Sequence, residues 1–145
     1  MGTPEVEWLH TLFSRLASGD TRGFLDGCSP EMTLTARGVA ESSVIVRRTG
    51  VAAWYEALGA LTGGTLRTEV ESVVVDGGRA VVVLLHAFHH DGAPRAYRTV
   101  NFCTVRDGRL LAWFCHPASR AGYAEAWGLP VPEGEPGRAT VPVHR

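Results

Sequence analysis

The feature that most constrains the fold is a change of hydrophobic period near Thr65: apolar residues recur at helical spacing before it and alternate with period two after it. Residues 5–18 place Trp8, Leu9, Leu12, Phe13 and Leu16 on one helical face, and Gly19 ends the run. Asp20 is positioned to cap a second, short helix through Leu25, with Phe24 and Leu25 turned inward. Residues 32–36 alternate as a first strand. Residues 37–49 show no period and read as a loop, and residues 50–61 predict a third helix with Trp54, Leu58 and Leu61 on one side. Four strands follow at 65–76, 79–90, 95–106 and 109–116. Of their connections, Gly77-Gly78 and Asp107-Gly108 are strong two-residue hairpin signals, because such turns need positive φ. Helices followed by an antiparallel meander predict an α+β fold, with the helices packed on one face of the sheet.

Composition narrows the chemistry. The 145 residues are 45% hydrophobic, enough for the core of one domain. A net charge of -1 argues against nucleic-acid or anionic-membrane partners, which need a basic face. All 14 basic residues are Arg. The lack of Lys removes Schiff-base chemistry, pyridoxal-phosphate anchoring and the P-loop lysine. Usage free of Lys and Gln and rich in Ala, Gly, Arg and Val correlates with a GC-rich bacterial gene. Cys28, Cys103 and Cys115 are odd in number and form no C-x-x-C pair, so neither a disulfide framework nor a structural zinc site is expected. No secretory signal is visible at the start. The longest apolar run, residues 80–85, is far short of the roughly 20 residues that span a bilayer. The expectation is a soluble, cytoplasmic domain over residues 1–128, with an extended or disordered Pro/Gly-rich tail over 129–145.

Hairpin arithmetic assigns faces. With Gly77-Gly78 and Asp107-Gly108 as turns, Val70 opposes Leu85 and Val100 opposes Cys115. One face then carries Thr68, Val70, Ser72, Val74, Val81, Val83, Leu85, His89, Arg98, Val100, Phe102, Trp113 and Cys115. The other carries Glu69, Glu71, His86, Phe88, His90, Tyr97, Thr99, Asn101, Phe114 and His116. The first is the more apolar and is expected beneath the helices; a one-residue bulge would exchange the faces beyond it. The second, with Val82, Leu84, Phe88, Tyr97 and Phe114, is too apolar for plain water, which predicts a second copy of the chain over it.

Three stretches then carry a resemblance: Leu12-Phe13-Ser14-Arg15-Leu16-Ala17-Ser18-Gly19-Asp20, Thr49-Gly50-Val51-Ala52-Ala53-Trp54-Tyr55-Glu56-Ala57-Leu58, and Asp107-Gly108-Arg109-Leu110-Leu111-Ala112-Trp113-Phe114-Cys115-His116. In order and spacing, over residues 5–128, the chain resembles the nuclear transport factor 2-like superfamily, which includes SnoaL-like polyketide cyclases and ketosteroid isomerase. The resemblance implies a cone-shaped, curved antiparallel sheet with three helices on its concave face. It also implies a pocket for a small hydrophobic molecule, no cofactor, and a homodimer packed through the outer sheet face. The acid/base positions of ketosteroid isomerase fall on Ala36, Leu12 and Val100, and the strand-end carboxylate of SnoaL-like cyclases is replaced by His116-Pro117-Ala118. The resemblance thus implies the vessel without its usual catalytic groups.

Candidate residues follow from the face assignment. Arg98 keeps its charge and can hold an enolate or carboxylate, or pair with a helix carboxylate, or reach water at the rim. His89 on the same face and His116 near the mouth suit acid–base work. The catalytic candidates are therefore Arg98, His89 and His116. The candidate ligand-binding residues are Trp54, Tyr55, Val100, Phe102, Trp113 and Cys115. No metal site is expected: His86 and His116 fall about two strand spacings, roughly 10 Å, apart. The expected function is a SnoaL-like enzyme of bacterial secondary metabolism that promotes cyclisation, isomerisation or dehydration of a polyketide-like intermediate. A non-catalytic ligand-binding or dimerisation module of the same fold is the alternative.

Overall fold

The computed structural model describes residues 4–37 and 43–130, so most of the expected tail lies outside the described residues. The elements are α1 (Pro4–Ala17), α2 (Thr21–Asp26), β1 (Cys28–Arg37), β2 (Ser43–Arg47), a 3-10 turn (Arg48–Gly50), α3 (Val51–Leu61), β3 (Arg67–Asp76), β4 (Arg79–His90), β5 (Ala93–Arg106), β6 (Arg109–Pro117) and α4 (Arg120–Trp127). The fold is α+β. One six-stranded sheet runs in the order β2-β1-β6-β5-β4-β3.

Its pairs are antiparallel except β1 with β6, which is parallel, so the sheet is mixed rather than purely antiparallel as expected. Asp20 caps α2 as its side chain predicts, accepting from the Gly23 amide at 2.9 Å. Asp107 and Gly108 both have positive φ, 54° and 72°, the backbone that the Asp-Gly pair provides for a tight hairpin.

Two elements depart from expectation. β2 lies inside the stretch read as a loop. As an edge strand with Val44 57% and Ile45 69% exposed, it turns a single apolar residue, Val46, against the core and leaves little inside-outside contrast in its sequence. α4 is a fourth helix whose fully buried residues are the small Ala121, Ala124 and Ala126, with Tyr123 and Trp127 half-buried against Tyr97 and Phe88. It therefore lacks the large apolar stripe that marks α1. Its ends are still specified: Ser119 Oγ accepts from the Gly122 amide at 3.0 Å, and Gly128 closes the helix in the left-handed conformation at φ 69°.

The core sits between the helices and one sheet face. Leu9, Leu12, Phe13 and Leu16 of α1 are each 1% exposed. Phe13, Phe24 and Trp113 meet edge to face with ring centroids 5.2–5.5 Å apart.

Two bulges decide which sheet residues reach this side. In β3 the register shifts between Val70 and Ser72, leaving Glu71 unpaired, and between β5 and β6 it shifts at Thr104/Val105, leaving Leu111 unpaired. Thr68, Val70, Trp113 and Cys115 lie on the helix-covered face. Between the bulges the faces are exchanged relative to expectation: Val82, Leu84, His86 and Phe88 of β4, with Thr99, Asn101 and Cys103 of β5, are the buried set.

Candidate functional site

A cavity of about 210 Å³ lies between the helices and the sheet. α1 contributes Leu16, α3 contributes Trp54, Tyr55 and Leu58, and α4 contributes Tyr123. The sheet supplies Leu84, His86, Tyr97, Thr99, Trp113 and Cys115, with Ala36, Arg37 and Val44 at the remaining edge. The walls are aromatic and aliphatic, and none of the lining residues carries a carboxylate.

Polar groups cross the sheet in one hydrogen-bonded line. The Tyr55 hydroxyl donates to Thr68 Oγ1 at 3.3 Å, and Thr68 Oγ1 meets His86 Nδ1 at 3.1 Å. His86 Nε2 meets Thr99 Oγ1 at 2.9 Å. Asn101 Nδ2 donates to Thr99 Oγ1 at 3.0 Å and to the Val82 carbonyl at 3.1 Å, while Trp113 Nε1 donates to Asn101 Oδ1 at 2.7 Å. Tyr97 stacks on His86 with centroids 4.9 Å apart. Such a line of satisfied polar groups in an apolar core holds one arrangement firmly.

Burial sets the protonation states. His86 is 7% exposed, and desolvation of its charged form lowers its pKa to about 4, so the imidazole is neutral at physiological pH. Burial pushes the thiols of Cys28, Cys103 and Cys115 up to about 12, which leaves them protonated and poorly nucleophilic. Tyr55 is also raised by burial.

The structure brings together Trp54, Tyr55, Trp113 and Cys115 of the expected residues; all four line the cavity. It places Arg98, His89, Val100 and Phe102 on the opposite side of the sheet, which corrects their expected position, while His116 stays on the outer face that strand parity gives it. Arg98 pairs with Glu71 through Nε–Oε1 at 2.6 Å and Nη2–Oε2 at 3.1 Å on an exposed surface. His89 is exposed, Val100 belongs to the outward row, and Phe102 is 50% exposed. His116 stacks on Phe114 at 5.0 Å and meets Phe102 edge to face at 5.8 Å; burial first, then Arg37, holds it below the usual histidine value. The exchange comes from the two bulges: Leu111 turns β5 over relative to β6, and Glu71 turns β4 over relative to the start of β3. His86, Thr99 and Asn101 were placed on the other face for the same reason. Their available signal was chemical: three polar side chains aligned across strands otherwise filled by Val, Leu and Phe. Among the described residues, no group of three or more His, Cys, Asp or Glu converges as for a metal, and no helix is long and apolar enough to cross a membrane.

Helices folded over one face of a curled sheet, around an apolar chamber with a polar line in its floor, define a protein of the nuclear transport factor 2-like type. The sequence matches the SnoaL-like domain over residues 9–113, and the chain belongs to that family. Solved structures share the fold at low identity. Bal32a, from a soil-derived mobile gene cassette, is 18% identical with a TM-score of 0.72, over 83% of this chain and 94% of its own. TerC, co-crystallised with polyporic acid, is 17% identical with a TM-score of 0.71, over 87% and 99%. IdmH of Streptomyces antibioticus, a candidate polyketide cyclase, is 15% identical with a TM-score of 0.68, over 85% and 97%. No curated protein matches the sequence.

Proposed function

We propose that this chain is an enzyme that encloses a small hydrophobic, polyketide-like molecule in the cavity and promotes its cyclisation, isomerisation or dehydration, using its own side chains. The observation that carries this reading is the neutral imidazole of His86 in the floor of an aromatic chamber. An apolar space of about 150 Å³ accommodates benzene, so a chamber of about 210 Å³ suits a ligand of one or two rings. Trp54, Tyr55 and Trp113 supply the wall and orient the ring. His86, uncharged and shielded from water, accepts a proton from carbon next to a ligand carbonyl. It returns that proton to another carbon in an isomerisation, or to a departing hydroxyl, released as water, in a dehydration. The fold shared with TerC and IdmH supports a ligand of this kind.

The outer sheet face is proposed to be covered by a second copy of the chain. Val74, Phe102 and Phe114 are 63%, 50% and 43% exposed there, around an open trough of about 490 Å³. That trough is larger than the chamber. Its chemistry suits packing rather than catalysis, since the polar line runs along the other side of the sheet.

The test uses the two indoles that face the chamber. Quenching of Trp54 and Trp113 fluorescence by one- and two-ring ketones and phenols measures binding, and turnover of a linear or β,γ-unsaturated polyketide mimic measures chemistry. The expectation is binding by wild type and His86→Leu alike, with turnover falling about 10²–10⁴-fold in the variant. Retention without turnover in the wild type would favour a non-catalytic binding module, and no binding at all would remove both readings.

A further inference from the structure

The line of side chains in the chamber floor has a direction, which originates at Trp113. An indole nitrogen only donates, so Asn101 Oδ1 must be the acceptor of the 2.7 Å contact. That fixes the Asn101 amide. Its NH₂ group then supplies both the Val82 carbonyl and Thr99 Oγ1. Thr99 already accepts from Asn101, and it has one hydrogen to give.

Two arrangements remain for His86. In the first, Thr99 donates to Nε2 and the Nδ1–H donates to Thr68. In the second, Thr68 donates to Nδ1 and an Nε2–H donates to Thr99. Each makes the same number of bonds along the line, and they differ in the hydroxyl hydrogen left over. In the first it belongs to Thr68, which is half-buried and borders a surface hollow with Ser14, Ser18 and Glu69. In the second it belongs to Thr99, 4% exposed, where the Cys115 sulfur is the neighbouring acceptor. A hydroxyl hydrogen facing water costs little, whereas one turned to a weak sulfur acceptor in the core forfeits much of a hydrogen bond.

We propose that Asn101, fixed by Trp113, is a positioning residue that holds His86 as its Nδ1–H tautomer, leaving the Nε2 lone pair as the basic atom of the chamber. This deepens the reading of His86 as the proton acceptor, naming the atom concerned and the residues that select it. The proton from the ligand reaches Nε2 by way of the Thr99 hydroxyl, which passes on its own hydrogen as it takes one up. The resulting imidazolium keeps its Nδ1–H on Thr68.

Long-range ¹H–¹⁵N correlation spectra of the ¹⁵N-labelled full chain at neutral pH test this, with the His86 signals assigned by their loss in His86→Gln. The expected wild-type spectrum shows a pyrrole-type Nδ1 and a pyridine-type Nε2; a protonated Nε2 overturns the proposal. Asn101→Asp supplies the second arm. A carboxylate accepts from both Trp113 and Thr99, so Thr99 can no longer donate to Nε2. The two ring nitrogens are then expected to exchange shift types, and the titration of His86 to move upward. The groups facing that ring are Tyr97 by stacking, Tyr55 through Thr68 and Cys115 through Thr99. All three are neutral acids at this pH, and Tyr123 and Arg37 on the same cavity wall are unchanged between the two proteins, which makes the new carboxylate the charge that moves the titration. An unchanged tautomer in Asn101→Asp would also overturn the proposal. The spectra need no substrate, so a protein with an Nδ1–H His86 but no turnover would defeat the enzymatic reading and uphold this one.

Discussion

His86 stores a pH dependence in the fold. Its pKa is about 4 in the folded chain, against 6.5 for an unperturbed imidazole. Below pH 6.5 the unfolded chain takes up a proton that the folded chain refuses, so stability falls as the pH drops from 6.5 towards 4 and levels off below that. At 1.36 kcal/mol per unit the loss is about 3 kcal/mol. His116, lowered mainly by partial burial, adds in the same direction. Urea midpoints at pH 7 and pH 4.5 check this: wild type should lose most of that amount, and His86→Gln much less. Equal losses would mean that His86 is charged in the folded state. The cysteines give a second expectation at this scale. With Cys28 and Cys103 at 1% and 3% exposure and their thiols raised to about 12, disulfide reagents should reach these two only at the rate of the protein's opening.

At the level of elements, most of the architecture was legible because it rests on periodicity. α1, α2, α3 and the four-strand meander follow the 3.6- and 2-residue patterns, and the meander's outer turns fall at Gly77-Gly78 and Asp107-Gly108. β2 and α4 escaped because neither buries a large apolar face, and period is a record of burial. The chamber was half legible. Trp54, Tyr55, Trp113 and Cys115 lie outside the block bounded by the two bulges, so their faces survive. Arg98, His89, Val100 and Phe102 lie inside it and are turned over with His86 and Asn101. A bulge of one residue leaves no composition signal where both rows are apolar, as at residues 73–75 after Glu71 and at residues 110–113 around Leu111. α4 carries its own expectation. Ser119→Ala removes the acceptor for the Gly122 amide and should weaken that helix by about 1 kcal/mol. Faster amide exchange confined to residues 120–127 would report it. Tyr123 should loosen on that side of the chamber, while the β4–β5 amides keep their protection.

Over the whole molecule, the outer sheet face makes the oligomeric state testable. Phe102 and Phe114 oppose each other across β5 and β6, and His116 packs against both rings. Light scattering at micromolar concentration should give twice the chain mass for wild type and a single chain for Phe102→Glu/Phe114→Glu. The variant should keep its chamber ligand, because both changes lie outside it. A monomeric wild type would remove the proposed dimer.

The parallel pairing of β1 with β6 joins Leu34 to Trp113, about 80 residues apart, whereas the meander closes through turns of two. Loop closure over that span costs about 4 kcal/mol before any contact repays it. Hairpins β3 to β6 can therefore zip early, while the amino-terminal segment docks late. Until it does, Trp113 has neither Phe13 nor Phe24 beside it, and the meander is an open trowel with no interior. The hollow that would receive a guest is the last thing this polypeptide makes, and a guest that fits it acts as a latch on the finished article.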